Sequence, residues 1–295
     1  RVHVGLILYE MKRFPESIER FKAILKEQPK ADNVRFYLGA VYEEQKANEL
    51  ALKEFKKVGK DSSFFKESNL HICYLYKEMN KLDEGMKFSK SLVEKFPDQP
   101  EYYDVHASFH EGKKDYKKAL DVVAKGLKKF PEDERLLYFE GALFDKTGNR
   151  RRGIDNMRKI LAINENHAHA LNFLGYTFAE LGENLEEAKK LIEKALTLRP
   201  NDGYIEDSLG WVLYKSGDID AALERLENAA KNQPKEAVIF EHLGDVYTAK
   251  KEYAKAVGNY QKAVQLVAKK DKDLAKKLES KIALAKKSEG HDTRL

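Results

Sequence analysis

Small residues recur along the chain at intervals of 34 or 35 positions. Counting back from Gly210, the steps land on Gly175, Gly141, Ala107, Cys73, Gly39 and Gly5, and a forward step lands on Gly244. A second series from Pro234 runs through Pro200, Glu165, Pro131, Pro97, Ser63 and Pro29 in the same phase. Between these marks the residues 203–236 place Leu209, Ala222, Leu226 and Ala229, and 237–270 place Leu243, Tyr247, Ala256, Tyr260 and Ala263. Each period predicts a hairpin of two helices, A and B. Gly or Ala sits where A and B cross closely, and bulky side chains such as Leu226 and Tyr260 fill the space around the crossing. Stretches such as "SGD" and "LGEN" supply the A–B turn, with Gly at the helix end. Pro stops helix B before the next hairpin begins. No strand is predicted.

A period of 34 with this set of small residues resembles the tetratricopeptide repeat (TPR). The resemblance covers nearly the whole chain and implies an all-α fold, a right-handed TPR superhelix or α-solenoid of antiparallel hairpins. One hairpin cannot bury its apolar face alone, so the units must stack. The expected organisation is a single array over 1–288: a partial repeat at 1–31, then repeats at 32–65, 66–99, 100–133, 134–167, 168–202, 203–236 and 237–270. The extra residue of 168–202 falls in its A–B turn. Departures gather in the middle, where His106 and His110 replace apolar residues and Gly85 and Gly153 replace the usual Ala. These predict a softer middle and no boundary between independent domains. Residues 271–288 carry Leu274, Leu278 and Ile282 four apart, one apolar stripe among lysines, which reads as a capping helix. The tail 289–295 is expected to be disordered.

Charge changes this picture little. The chain has 295 residues and a net charge of +5. Residues 269–287 alone hold eight Lys against two Asp and one Glu, so the remainder is close to neutral. That distribution argues against a nucleic-acid surface, which needs basic residues along a face. No stretch has the roughly 20 apolar residues of a membrane helix. The single cysteine, Cys73, excludes an internal disulfide and occupies a small-residue position, so it reads as a buried filler. The opening "RVHVGLILYE" has neither an initiator Met nor a leader and reads as a processed or truncated start.

Candidate chemistry is sparse. His106 and His110, one helical turn apart beside Glu111, have the spacing of a zinc pair, but no further ligand completes a site and no metal is expected. His167 and His169 read as surface residues at a repeat junction. Phosphate-binding loops and catalytic constellations are absent, so neither a cofactor nor an enzymatic activity is expected.

In the resembled family, positions 2, 5, 9 and 12 or 13 of helix A line a groove that holds a protein segment. Carried onto this sequence, they are Tyr204, Asp207, Trp211 and Tyr214 in one repeat, and His169, Asn172, Tyr176 and Ala179 in the one before it. The repeat at 134 contributes Arg135, Tyr138, Ala142 and Asp145, and the repeat at 237 contributes Val238, Glu241, Asp245 and Thr248. The candidate partner-binding residues are therefore Tyr138, Asn172, Tyr176, Tyr204, Asp207, Trp211, Tyr214, Glu241 and Asp245. The rings offer area with a polar tip, and the acids favour Lys, Arg or amide groups on a ligand. Trp211 and Tyr176 have two readings: contact with a ligand, or packing against the next helix A. No repeat carries the Lys and Asn pair with which the chaperone-binding subclass clamps a terminal carboxylate.

The stretch running from "LGYT" through "DSLGWVLY" to "EHLGDVY" is similar to bacterial envelope TPR lipoproteins, one branch of which includes the adaptor of a carboxyl-terminal processing protease. That likeness implies a non-enzymatic scaffold or adaptor in the bacterial periplasm or at the outer membrane, reaching a membrane only through an N-terminal anchor. Its partners would be a protein or peptide segment, a protease or another envelope protein. Two other readings stand beside it: self-association through Val4, Ile7 and Leu8, or the scaffold portion of a larger enzyme.

Overall fold

A computed structural model describes residues 1–267 and 271–292, with side chains placed through 289. Its described residues form seventeen α-helices and no strand, the all-α architecture expected from the period. The chain divides into two compact units, Arg1–Leu143 and Phe144–Leu295. The division falls inside helix A of the expected repeat 134–167, where a single array over 1–288 is expected.

In the first unit the A helices are α1 (Val2–Glu10), α3 (Asp32–Glu44), α5 (Phe65–Glu78) and α7 (Pro100–Gly112), and α9 (Glu134–Lys146) carries the division. Their B partners are α2 (Phe14–Glu27), α4 (Asn48–Phe55), α6 (Leu82–Lys95) and α8 (Tyr116–Lys129). The second unit continues with B helices α10 (Arg150–Ile163), α12 (Leu185–Leu198), α14 (Ile219–Asn232) and α16 (Tyr253–Val267). These alternate with A helices α11 (Ala168–Leu181), α13 (Gly203–Lys215) and α15 (Ala237–Ala249), and α17 (Lys272–Asp292) follows.

The crossing points explain the small-residue series. A Cβ added at Gly39 would come within 2.8 Å of the Phe55 ring, and one at Gly244 within 2.3 Å of Tyr260. In both hairpins an aromatic side chain of helix B fills the space that glycine leaves on helix A. At Gly85, on helix B, a ring of the following helix A fills the space instead: a Cβ there would meet the Phe109 ring at 2.3 Å. Phe109 is fully buried, so at this position a larger ring takes the place of the missing methyl group. Fully buried Cys73 takes its small-residue place in the core, and burial pushes its thiol up to about 12.

A third periodic series emerges in the A–B turns. Lys12, Lys46, Asn80, Lys114, Gly148, Gly182, Gly217 and Lys251 all have positive φ, between 51° and 87° with the other such residues of the chain. Successive members lie one repeat apart. The left-handed residue lets the chain leave helix A and re-enter as helix B within a few positions. Two B helices begin on a side-chain cap: Asp115 accepts from the Lys118 amide and Asp218 from the Ala221 amide, satisfying donors that the first helical turn leaves open.

One hairpin departs from the rest. Helix α4 has 8 residues, whereas α2, α6 and α8 have 14. Gly59, Asp61, Ser62 and Ser63 follow it, residues that favour turns over helix, and the Gly59 amide donates to Asp32 Oδ2 at 3.1 Å. At the other end α17 buries Leu278, Ala275 and Ala285. It reaches Asp292, into the 289–295 segment expected to be disordered. Residues 293–295 lie outside the described set. So do 268–270, which close the expected repeat 237–270 and open the Lys-rich stretch. No helix among the described residues is long and apolar enough to cross a membrane.

Candidate functional site

Helices α11, α13 and α15 bring four rings together. The Trp211 indole stacks on the His242 imidazole, with centroids 4.1 Å apart and planes 15° from parallel. Tyr214 stacks on Trp211 with centroids 5.1 Å apart, and Tyr176 lies 6.4 Å from His242. Tyr176, Trp211 and Tyr214 are half-buried. Trp211 Nε1 donates to Glu180 Oε1 at 2.7 Å, so the indole touches the A helices on both sides of its own. This is the contact expected of the packing reading, and it leaves Tyr176, Trp211 and Tyr214 partly accessible to solvent while His242 is buried.

The acids of this face are engaged within the chain. Asp207 Oδ1 and His242 Nδ1 are 2.8 Å apart, and both residues are buried. Burial depresses the His242 pKa, but Asp207, with Asp245 and Glu241, outweighs it and holds the imidazole above its ordinary value. When protonated, the ring gains a cation–π attraction from the indole face it stacks on. Lys281 Nζ donates to Glu241 Oε1 and to both oxygens of Asp245, each at 2.7 Å. Lys277 reaches Glu241 at 2.8 Å, and the Tyr260 hydroxyl donates to Asp245 at 2.7 Å. Burial alone would raise the Glu241 pKa; the two lysines reverse it and hold the carboxyl below its ordinary range. Glu241 and Asp245, expected to attract cations on a ligand, therefore meet cations supplied by α17.

The other expected residues divide. Asn172 lies on α11 and its buried Oδ1 has no hydrogen-bond partner. Burial pushes the Tyr176 pKa up, with Glu180, Asp207 and Glu241 adding to it. Tyr204 stands 50% exposed near the start of α13 and bonds to Glu236, away from the ring cluster. Tyr138 belongs to the first unit, half-buried, and burial raises its pKa. Sequence reasoning missed His242, Glu180, Lys277 and Lys281. His242 sits within "EHLGD" beside a predicted groove residue, and only the A-helix neighbour relation, not its own position number, marks it.

The first unit carries its own polar group on α5 and α7. Lys77 Nζ donates to Ser108 Oγ at 2.7 Å, and Glu101 takes Lys66 at 2.8 Å and Arg135 at 3.4 Å. Burial pushes the Asp104 carboxyl up to about 6, against the pull of Arg135 and Lys77. His106 is buried, with Nδ1 2.9 Å from Ser89 Oγ, and burial pushes it down to about 4. No group of three or more His, Cys, Asp or Glu side chains among the described residues is arranged to hold a metal ion.

Comparison with known proteins agrees with this architecture. The tetratricopeptide repeat pattern matches residues 5–63 and 208–271 in one form and 168–202 in another. A TPR repeat-containing protein of Pseudomonas aeruginosa is 33% identical over 218 residues, which is 72% of this chain; the chain spans only 36% of that protein's length. Among solved structures, a tetratricopeptide repeat protein from Parabacteroides merdae superposes with a TM-score of 0.66 at 16% identity, covering 86% of this chain and 98% of that one. The Cut9–Hcn1 hetero-tetramer of the APC/C gives the same TM-score at 16% identity, over 92% of this chain and 52% of that one. At these identities the likeness to the solved structures concerns the fold alone.

Proposed function

Since the chain belongs to the tetratricopeptide repeat family, we propose that it is a non-enzymatic interaction scaffold and that the A-helix face of the second unit holds a protein segment. The observation that carries the reading is the cluster of Tyr176, Trp211, Tyr214 and His242, laid across three successive A helices with part of each tyrosine and of the indole open to solvent. Large, stiff rings of this kind dominate binding energy in protein interfaces. Because Asp207, Glu241 and Asp245 already have partners, the ligand side chains that suit this face are apolar or aromatic ones, with cations secondary. Trp211→Ala and Tyr176→Ala, each verified as folded by circular dichroism, should cut capture of the native partner by about 30-fold or more, the effect of losing a hot-spot ring. Capture equal to wild type in both variants would overturn the proposal.

The setting at the bacterial envelope, with a lipoprotein or protease-adaptor role, rests on the likeness of the "LGYT" to "EHLGDVY" stretch. Fractionation of cells producing the full gene product tests it, and recovery wholly in the cytosolic fraction would remove it. Self-association has one observation in its favour: α1 exposes Val4 and Ile7, and Met11 just past its end is exposed as well. Sedimentation equilibrium at rising concentration should then show a dimer, which Ile7→Glu abolishes; a monomer throughout would discard this second reading.

A further inference from the structure

The shortened helix α4 leaves an opening in the first unit. Helices α2, α6 and α8 carry 14 residues in the B position, and α4 carries 8. Beside the end of α4 and the residues that follow it, a cavity of about 250 Å³ opens against helices α5 and α6. Phe55, Ile72, Phe88, Leu92 and Phe96 line it. Its polar lining groups are already committed: Asn69 Nδ2 donates to the Phe65 carbonyl at 2.9 Å and Ser91 Oγ to the Phe88 carbonyl at 2.7 Å. The remaining lining residues include Lys56 and Lys95, and no carboxylate is among them. Lys95 is exposed in the last turn of α6. Lys56 lies 5.2 Å from the Tyr76 ring centre and donates to its hydroxyl at 2.8 Å.

We propose that this cavity binds an aliphatic carboxylate, with its hydrocarbon chain among the phenylalanines and its head group at Lys56 and Lys95. The volume sets the chain length. A dry apolar cavity of about 150 Å³ accepts a benzene ring, so the one here suits about eight to ten carbon atoms. The charge sets the head group, since two cations and no carboxylate among the lining residues favour a carboxylate over an amine or a neutral alcohol. The site uses none of the residues of the A-helix face in the second unit, so the two proposals stand or fall separately.

Octanoate is the probe, titrated into the full chain with ¹³C-labelled Ile, Leu and Val methyl groups. The expected result is saturable one-to-one binding that shifts the Ile72 and Leu92 methyl signals, with butanoate at least tenfold weaker and octylamine weaker still. Ser91→Trp should fill the cavity and abolish binding. Lys95→Glu, a surface change that leaves the core intact, should weaken octanoate at least tenfold even if the tryptophan variant fails to fold. Trp211→Ala should leave the titration unchanged. Shifts confined to other methyl groups, equal affinity for octylamine, or Lys95→Glu binding as wild type would each overturn the proposal.

Discussion

Residues with positive φ set the cadence of the hairpins, and only some of them are glycines. Gly182 and Gly217 occupy the turn at φ +67° and +87°, whereas Lys12, Lys46, Lys114 and Lys251 take the same place near +60°. A left-handed conformation costs an ordinary L-residue roughly 1–2 kcal/mol, and glycine avoids most of it at some cost in chain entropy. Lys251→Gly should therefore raise stability by about 0.5–1 kcal/mol, and Gly217→Ala should lower it by about 1 kcal/mol, both measured by urea unfolding. Equal stability of Lys251→Gly and wild type would mean the turn is relaxed. "SGD" and "LGEN" made two of these turns readable because glycine is the usual mark of a left-handed helix end. The lysines carried no such signal, since a lysine between two helices is what any solvent-exposed position looks like.

Pairs of helices bring the ionisable groups together, and here the sequence was only half legible. The Gly-against-ring crossings could be read from the period because each hairpin repeats them. The Asp207–His242 pair could not, because it joins α13 to α15 across a repeat boundary. Its pH dependence has a definite sign. The His242 pKa is raised in the folded chain from an ordinary value of 6.5, so the pair contributes its full stability below about pH 6.5 and loses it as pH climbs through the raised value. Unfolding free energy should fall across that alkaline window, and His242→Gln should flatten this part of the profile. Removing the partner from a buried ion pair costs about 3–5 kcal/mol, so Asp207→Ala should cost more than His242→Gln below pH 6.5. A wild-type profile unchanged by His242→Gln would show that the ring is neutral throughout. Nor did the sequence disclose the short α4. Gly59, Asp61 and Ser62 stop the helix, yet the 34-residue count closes on Ser63 as if helix B had run its length.

Across the molecule, the main contacts among the described residues join consecutive helices and, more sparsely, every second helix. Stability in such a chain is a sum of hairpins and their nearest-neighbour interfaces, and disturbance should stay local. Gly244→Val forces the Tyr260 ring away and should speed amide exchange in α13 to α17 while leaving α3 to α6 as protected as before. Uniform acceleration along the chain would show one cooperative block instead. The period predicted the helices throughout, because every hairpin obeys the same steric rule. It did not predict the division at Leu143 and Phe144, since a repeat count treats every period alike.

The lysines of α17 look alike in the sequence but differ as nucleophiles. Acylation needs the free amine, and although burial alone would make Lys281 less basic, Asp245 and Glu241 hold its ammonium above its ordinary value. Lys276, Lys286 and Lys287 stand in solvent. A limiting dose of an acetylating reagent on the native chain, followed by peptide mass spectrometry, should mark those three first and Lys281 last. The order should collapse on Asp245→Asn, so the modification pattern of one helix becomes a gauge of whether its two carboxylates are still in hand.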